Sequence, residues 1–128
     1  MGYGAYMRVV NSSSKTVTTN VTNQNCMYDN GSEGSNLSLF NNLTITPGTK
    51  VPAEGGQYIE AKNSGSCFFE SSTFTLAISN LNSSVDNLNF VDSSGSWSCS
   101  GQPSNVNVNI NNDSGDQGSI VITLYDPS

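Results

Sequence analysis

The side chains able to do chemistry are few: ten carboxylates, three thiols, four bases, one tryptophan and no histidine. Without histidine the chain lacks the usual general base near neutral pH and the commonest transition-metal ligand. A Ser-His-Asp or Cys-His arrangement is excluded outright. No GxSxG is present, and no glycine-rich nucleotide loop follows a strand into a helix. Glu54, Glu60 and Glu70 are the carboxylates a glycosidase would pair, and their spacing brings no two together. The expectation is a protein that binds its target and does not convert it, and therefore not an enzyme.

Hard oxygen ligands are better represented. The segment Asn111-Asn112-Asp113-Ser114-Gly115-Asp116-Gln117-Gly118 sets two carboxylates among amide oxygens, the set that Ca²⁺ favours. Asp29-Asn30-Gly31-Ser32-Glu33-Gly34 is a second such loop. Neither carries the Glu at the twelfth position of an EF-hand, and hairpin turns favour Asp, Asn and Gly for conformational reasons alone. Ca²⁺ is the cofactor the sequence suggests, on Asp113, Asp116 and Asp29, with plain turn chemistry as the alternative. Cys26, Cys67 and Cys99 fit no CxxC motif, and zinc would lack a fourth ligand. They read either as three small buried hydrophobes or as one disulfide and a free thiol, with Cys67–Cys99 the foremost pairing.

Trp97 lies in Ser93-Ser94-Gly95-Ser96-Trp97-Ser98-Cys99-Ser100-Gly101, a stretch too polar for an ordinary core strand. Its ring suits stacking on a sugar or sitting at a membrane interface, and equally suits capping the end of a core. Tyr3, Tyr6, Tyr28 and Tyr58 add to an aromatic surface if the fold brings them together. Trp97, Tyr58 and Asn30 are the candidate ligand-binding residues, rings to stack and an amide to bond hydroxyls.

The elements that must position these groups are strands. Residues 5–11, 16–22, 37–40, 43–46, 57–62, 73–79, 87–92, 105–110 and 118–125 are the candidates. Phe74, Leu76 and Ile78 share one face, as do Val106, Val108 and Ile110, with asparagines between the last three. Turn signals such as Pro47-Gly48, Ser94-Gly95 and Asn63-Ser64-Gly65 separate them, and no uninterrupted helical periodicity occurs. The expected fold is all-β: a single antiparallel β-sandwich of roughly eight to nine short strands, one domain over residues 1–128. Residues 23–36 form the longest expected loop.

Fifty residues are neutral and polar (18 Asn, 22 Ser, 10 Thr), against 14 charged ones. The net charge of −6 argues against nucleic acid and against passive attraction to anionic lipid, since Arg8, Lys15, Lys50 and Lys62 form no cluster. No apolar run is long enough for a transmembrane segment. The first residues lack a signal-peptide pattern, which predicts a leaderless protein, cytoplasmic or exported by an unconventional route, unless a leader has been removed. Seven N-x-S/T sequons occur, at Asn11, Asn20, Asn30, Asn36, Asn42, Asn82 and Asn112. Composition explains most of them, and none is read as glycosylated.

Val9-Val10-Asn11-Ser12-Ser13-Ser14, Pro47-Gly48 before Gln57-Tyr58-Ile59, and Gly118-Ser119-Ile120-Val121-Ile122 resemble the small leaderless β-sandwich proteins of slime moulds. Those include hemagglutinins and the membrane-binding domain of a calcium-dependent cell-adhesion protein. The resemblance implies sugar or cell-surface binding. Ala5-Tyr6, the strand at 71–78 with Gly65 before it, and the 97–101 segment are similar in order to the aegerolysins of mushrooms and bacteria. That likeness implies sphingolipid recognition beside a larger pore-forming partner, as one component of a toxin. The chain departs from it in having no His, and one Trp where that family has several.

Three readings of function follow. The first is lectin-like recognition of a cell-surface glycan through a loop-built site. The second is an aegerolysin-like protein that binds a lipid headgroup. The third is a homo-oligomer assembling through strand edges such as 105–111, which carry few of the charges that block edge pairing.

Overall fold

Alternation of apolar and polar residues with period two makes strands that bury one face, and two such faces closing on each other make a sandwich. The computed structural model describes residues 3–29, 31, 34–112 and 117–128. The described strands are β1 (Tyr3–Asn11), β2 (Val17–Asn25), β3 (Met27–Tyr28), β4 (Leu43–Ile45), β5 (Lys50–Val51) and β6 (Gln57–Ala61). They continue with β7 (Ser72–Ser79), β8 (Asp86–Ser93), β9 (Ser96–Ser100), β10 (Val106–Asn111) and β11 (Gly118–Leu124). One sheet runs β10-β11-β1-β6-β3, with β5 also on β1; the other runs β4-β2-β7-β8-β9.

Between the sheets, Met7, Val9, Ile59, Ile120 and Ile122 of the first face Phe74, Leu76, Ile78, Leu88 and Phe90 of the second. Phe74 and Phe90, directly opposite in register, stack with centroids 4.8 Å apart. Each such side chain contributes about 1.5–3 kcal/mol by leaving water. The expected alternation holds in β11, where Ile120, Ile122 and Leu124 point in, and in β10, where Asn107 and Asn109 are exposed.

Eight expected strands have counterparts, and three corrections are needed. Residues 37–40 form a 3₁₀ turn and not a strand, because Leu37 and Phe40 then fall on one side and both bury. The count rises to eleven through the two-residue β3 and β5 and through β9, a real strand despite its serines. The sandwich is also not wholly antiparallel: β1 pairs β11 in parallel, from Ala5↔Gly118 to Asn11↔Leu124.

The expected Cys67–Cys99 bond is replaced by Cys26–Cys67, with Cα atoms 5.7 Å apart, within the span a disulfide needs. The register gives the reason. Cys99 pairs with Phe90, which pairs with Phe74, so it lies two strands across from β7 and well inside the ladder. Cys67 lies before β7 begins. Cys26 stands where the chain leaves the second sheet for the first, and Cys67 where it returns. The bond staples two crossovers at one end of the sandwich. Cys99 is a free thiol that burial pushes up to about 11.

Several asparagines complete the frame. Asn11 is fully buried; its amide donates to the carbonyls of Lys15 and Ile45 at 2.8 and 3.0 Å, and its oxygen accepts from Ser13. Asn112 takes the place of a neighbouring strand: its oxygen accepts the Trp97 N–H at 2.9 Å while its amide donates to the Trp97 carbonyl at 3.1 Å. Among the described residues no helix is long and apolar enough to cross a membrane.

Candidate functional site: a tyrosine basin on the first sheet

Because Ala5, Met7, Ile59 and Ala61 point into the core, their strand neighbours must point outward. Tyr6 on β1 is directly opposite Tyr58 on β6, and Gly4 opposite Glu60, which on its other side faces Tyr28 of β3. Tyr6, Tyr28 and Tyr58, scattered in the sequence, therefore converge on one outer face. The Tyr6 and Tyr58 rings lie 5.4 Å apart at 54°. Tyr28 carries the Lys62 ammonium 5.7 Å from its ring centroid, a distance at which cation and ring attract.

Two glycines make the arrangement fit. A Cβ on Gly4 would overlap the Tyr58 ring and the Gln117 amide, and one on Gly56 would lie 2.8 Å from the Tyr6 Cβ. Tyr58 lies down over Gly4 and donates its hydroxyl proton to Glu60 Oε1. Glu60 itself is 6% exposed, so this bond holds a carboxylate that the sheet has largely removed from water. Arg8, further along the same face of β1, is turned away by bonds to the Pro52 and Ala53 carbonyls.

The result is a shallow basin of about 480 Å³ lined by Tyr6, Gly34, Tyr58, Glu60 and Gln117. Tyr6 is 47% exposed on it. It offers a ring face, a carboxylate and an amide, and among its described lining there is no basic residue. Such a set stacks on an apolar ring face and accepts hydrogen bonds from hydroxyls.

Of the residues singled out from sequence, Tyr58 lies at the centre of this basin. Trp97 does not join it. On β9 it points inward, is 3% exposed, and meets Phe74 edge-on at 5.9 Å. Of its two expected uses, core packing is the one observed, and the ring is not available to stack on a ligand. Asn30, Asp113 and Asp116 lie outside the described residues. Asp29 accepts a bond from the Gln24 amide at 3.0 Å. Among the described residues no three acidic or cysteine side chains gather to hold a metal.

In the sequence Tyr6 stands out only as part of an aromatic surface, Glu60 as a carboxylate and Gln117 as a neighbour of two aspartates, while Gly4 carries no signal of a site. Alternation marks Tyr6 and Tyr58 as outward-facing once β1 and β6 are drawn, but only their register sets them opposite each other. No protein-family model matches this chain, and no curated protein matches it in sequence.

Proposed function

We propose that the protein is a non-catalytic binder of cell-surface glycans and that the Tyr6–Tyr58 basin is its sugar site. The observation that carries this reading is the exposed Tyr6 ring beside the buried Glu60 carboxylate and the Gln117 amide. A pyranose would place its apolar face on Tyr6 and direct hydroxyls to Glu60 and Gln117. Ca²⁺ on Asp113, Asp116 and Asp29 is proposed as the cofactor, on the oxygen-rich composition of those two segments. The Cys26–Cys67 bond supports an oxidising setting, and hence export to where surface glycans are found.

A glycan array probed with the wild-type protein and with Tyr6→Ala, each with Ca²⁺ and with EDTA, tests this. Wild type is expected to select a subset of glycans. Tyr6→Ala should weaken that binding about tenfold or more, since a stacked ring contributes roughly 1.5 kcal/mol. Loss in EDTA assigns Ca²⁺ to the site, while unchanged binding removes it. Failure to bind any glycan in either condition ends the glycan reading, and equal binding by the variant ends the assignment of the site to the Tyr6–Tyr58 basin.

A further inference from the structure

A second concavity lies at the end of the sandwich that the Cys26–Cys67 bond staples, between the connection 62–71 and the turn joining β8 to β9. It encloses about 370 Å³, and its lining includes Asn63, Phe68, Phe69, Glu70, Ser72 and Asp92. One wall is fixed by the Cys26–Cys67 bond, for Phe68 and Phe69 follow Cys67 directly, and the Phe68 and Glu70 N–H groups close turns onto Gly65 and Cys67. The two rings meet edge to face at 4.7 Å yet are 66% and 94% exposed. The floor is polar. Asp92 is only 3% exposed; its Oδ1 accepts the Gly95 N–H at 2.9 Å, and its Oδ2 is buried with no hydrogen-bond partner among the described residues. Asn63 Oδ1 is buried and unpartnered in the same way.

A buried carboxylate oxygen without a donor is costly to keep, so the chemistry that suits this cleft supplies both positive charge and N–H groups. Aromatic faces at the mouth favour a cation as well. A guanidinium fits less well, because its planar fork wants both carboxylate oxygens and Gly95 already occupies one. Ca²⁺ wants six to eight oxygens, whereas the described lining brings only Asp92 and Glu70 as carboxylates and two phenyl rings that cannot ligate. A quaternary ammonium has the charge but no N–H. We propose that this cleft binds a primary ammonium group, with Asp92 as counter-ion, Asn63 as second acceptor and Phe68–Phe69 as the wall along its carbon stem. The assignment is independent of the glycan reading, because it shares no residue with the basin.

The test is NMR titration of the intact chain with n-butylammonium, glucosamine, tetramethylammonium and Ca²⁺, repeated on Asp92→Asn, Phe69→Ala and Tyr6→Ala. The first or second probe, or both, should bind saturably, shifting Asn63 and Gly95 amide signals, and their ranking tells an amine on an alkyl stem from one on a sugar. Asp92→Asn should weaken this at least about tenfold and Phe69→Ala several-fold, with Tyr6→Ala unchanged. Asp92→Asn is isosteric and Phe69 is surface-exposed, so retained folding is expected and is checked on the same spectra. Three results would overturn the assignment: no saturable binding of either amine up to about 10 mM, tetramethylammonium binding as tightly as butylammonium, or Ca²⁺ displacing the amine. Binding to zwitterionic lipid vesicles without binding to soluble amines would likewise overturn it, in favour of a membrane contact through the phenylalanines.

Discussion

Asp92 occupies a place where a carboxylate is poorly solvated, and the consequence can be measured without any ligand. Burial pushes its carboxyl above the ordinary 3.8, and the Gly95 hydrogen bond offsets this only in part. A carboxyl raised in the folded state favours folding when protonated. That contribution is fully present below 3.8 and lost as pH rises through the folded value. Asp92→Asn keeps an acceptor for Gly95 and removes the charge, so it should melt a few degrees above wild type at pH about 7. The gap should close as pH falls towards about 4. Thermal unfolding across pH reads this directly; a variant less stable than wild type near neutrality would show that the carboxylate is well partnered after all. The asparagines divide at the same scale. Asn107 and Asn109 coat an outer face as the strand pattern indicated, but Asn11 and Asn112 act as backbone clamps, a use that composition does not disclose. Asn11, with no exposed surface, also cannot carry a glycan in the folded protein.

At the scale of elements, the Cys26–Cys67 bond joins two crossovers between sheets across 41 residues of chain. A loop of that size constrains the unfolded chain by about 4 kcal/mol in the entropy treatment. Replacing both cysteines by serine should therefore lower stability to denaturant by that order, with an unchanged native spectrum, and a loss near zero would show that the cross-link adds little to stability. Most strands were legible because β-branched and aromatic residues alternate with polar ones, as in β7, β10 and β11. The 3₁₀ turn at 37–40 was not, since Leu-Ser-Leu-Phe satisfies a strand pattern as well as an i, i+3 one. In Ser-Trp-Ser-Cys-Ser the alternation of β9 was present, but the polarity of the outward residues masked it. The tyrosine basin was legible residue by residue and not as a site. The pairing of Tyr6 with Tyr58 is a property of register between strands about fifty residues apart, which no local pattern carries.

For the whole molecule, the question is whether its sheet edges invite other copies. β3 and β4 are short edge strands, and along that side Asn36 bonds the Tyr58 carbonyl while the Leu37–Phe40 turn packs against the core. On the opposite side Asn112 bridges to β9 from just beyond the end of β10. Short or covered edges suppress sheet-to-sheet pairing. Light scattering is expected to show one species of 13.5 kDa at every concentration; a mass that climbs with concentration would instead favour assembly through strand edges.

The parallel pairing of β1 with β11 has a consequence in time. β1 lies near the middle of its sheet, flanked by β6 and β11, yet its β11 partner is made about a hundred residues later. During synthesis β1 can meet β6 but must wait with its other edge unpaired until nearly all of the domain has left the ribosome. Contacts this distant close slowly, so the first sheet, and with it the Gln117 rim of the tyrosine basin, is completed only once β11 has been made.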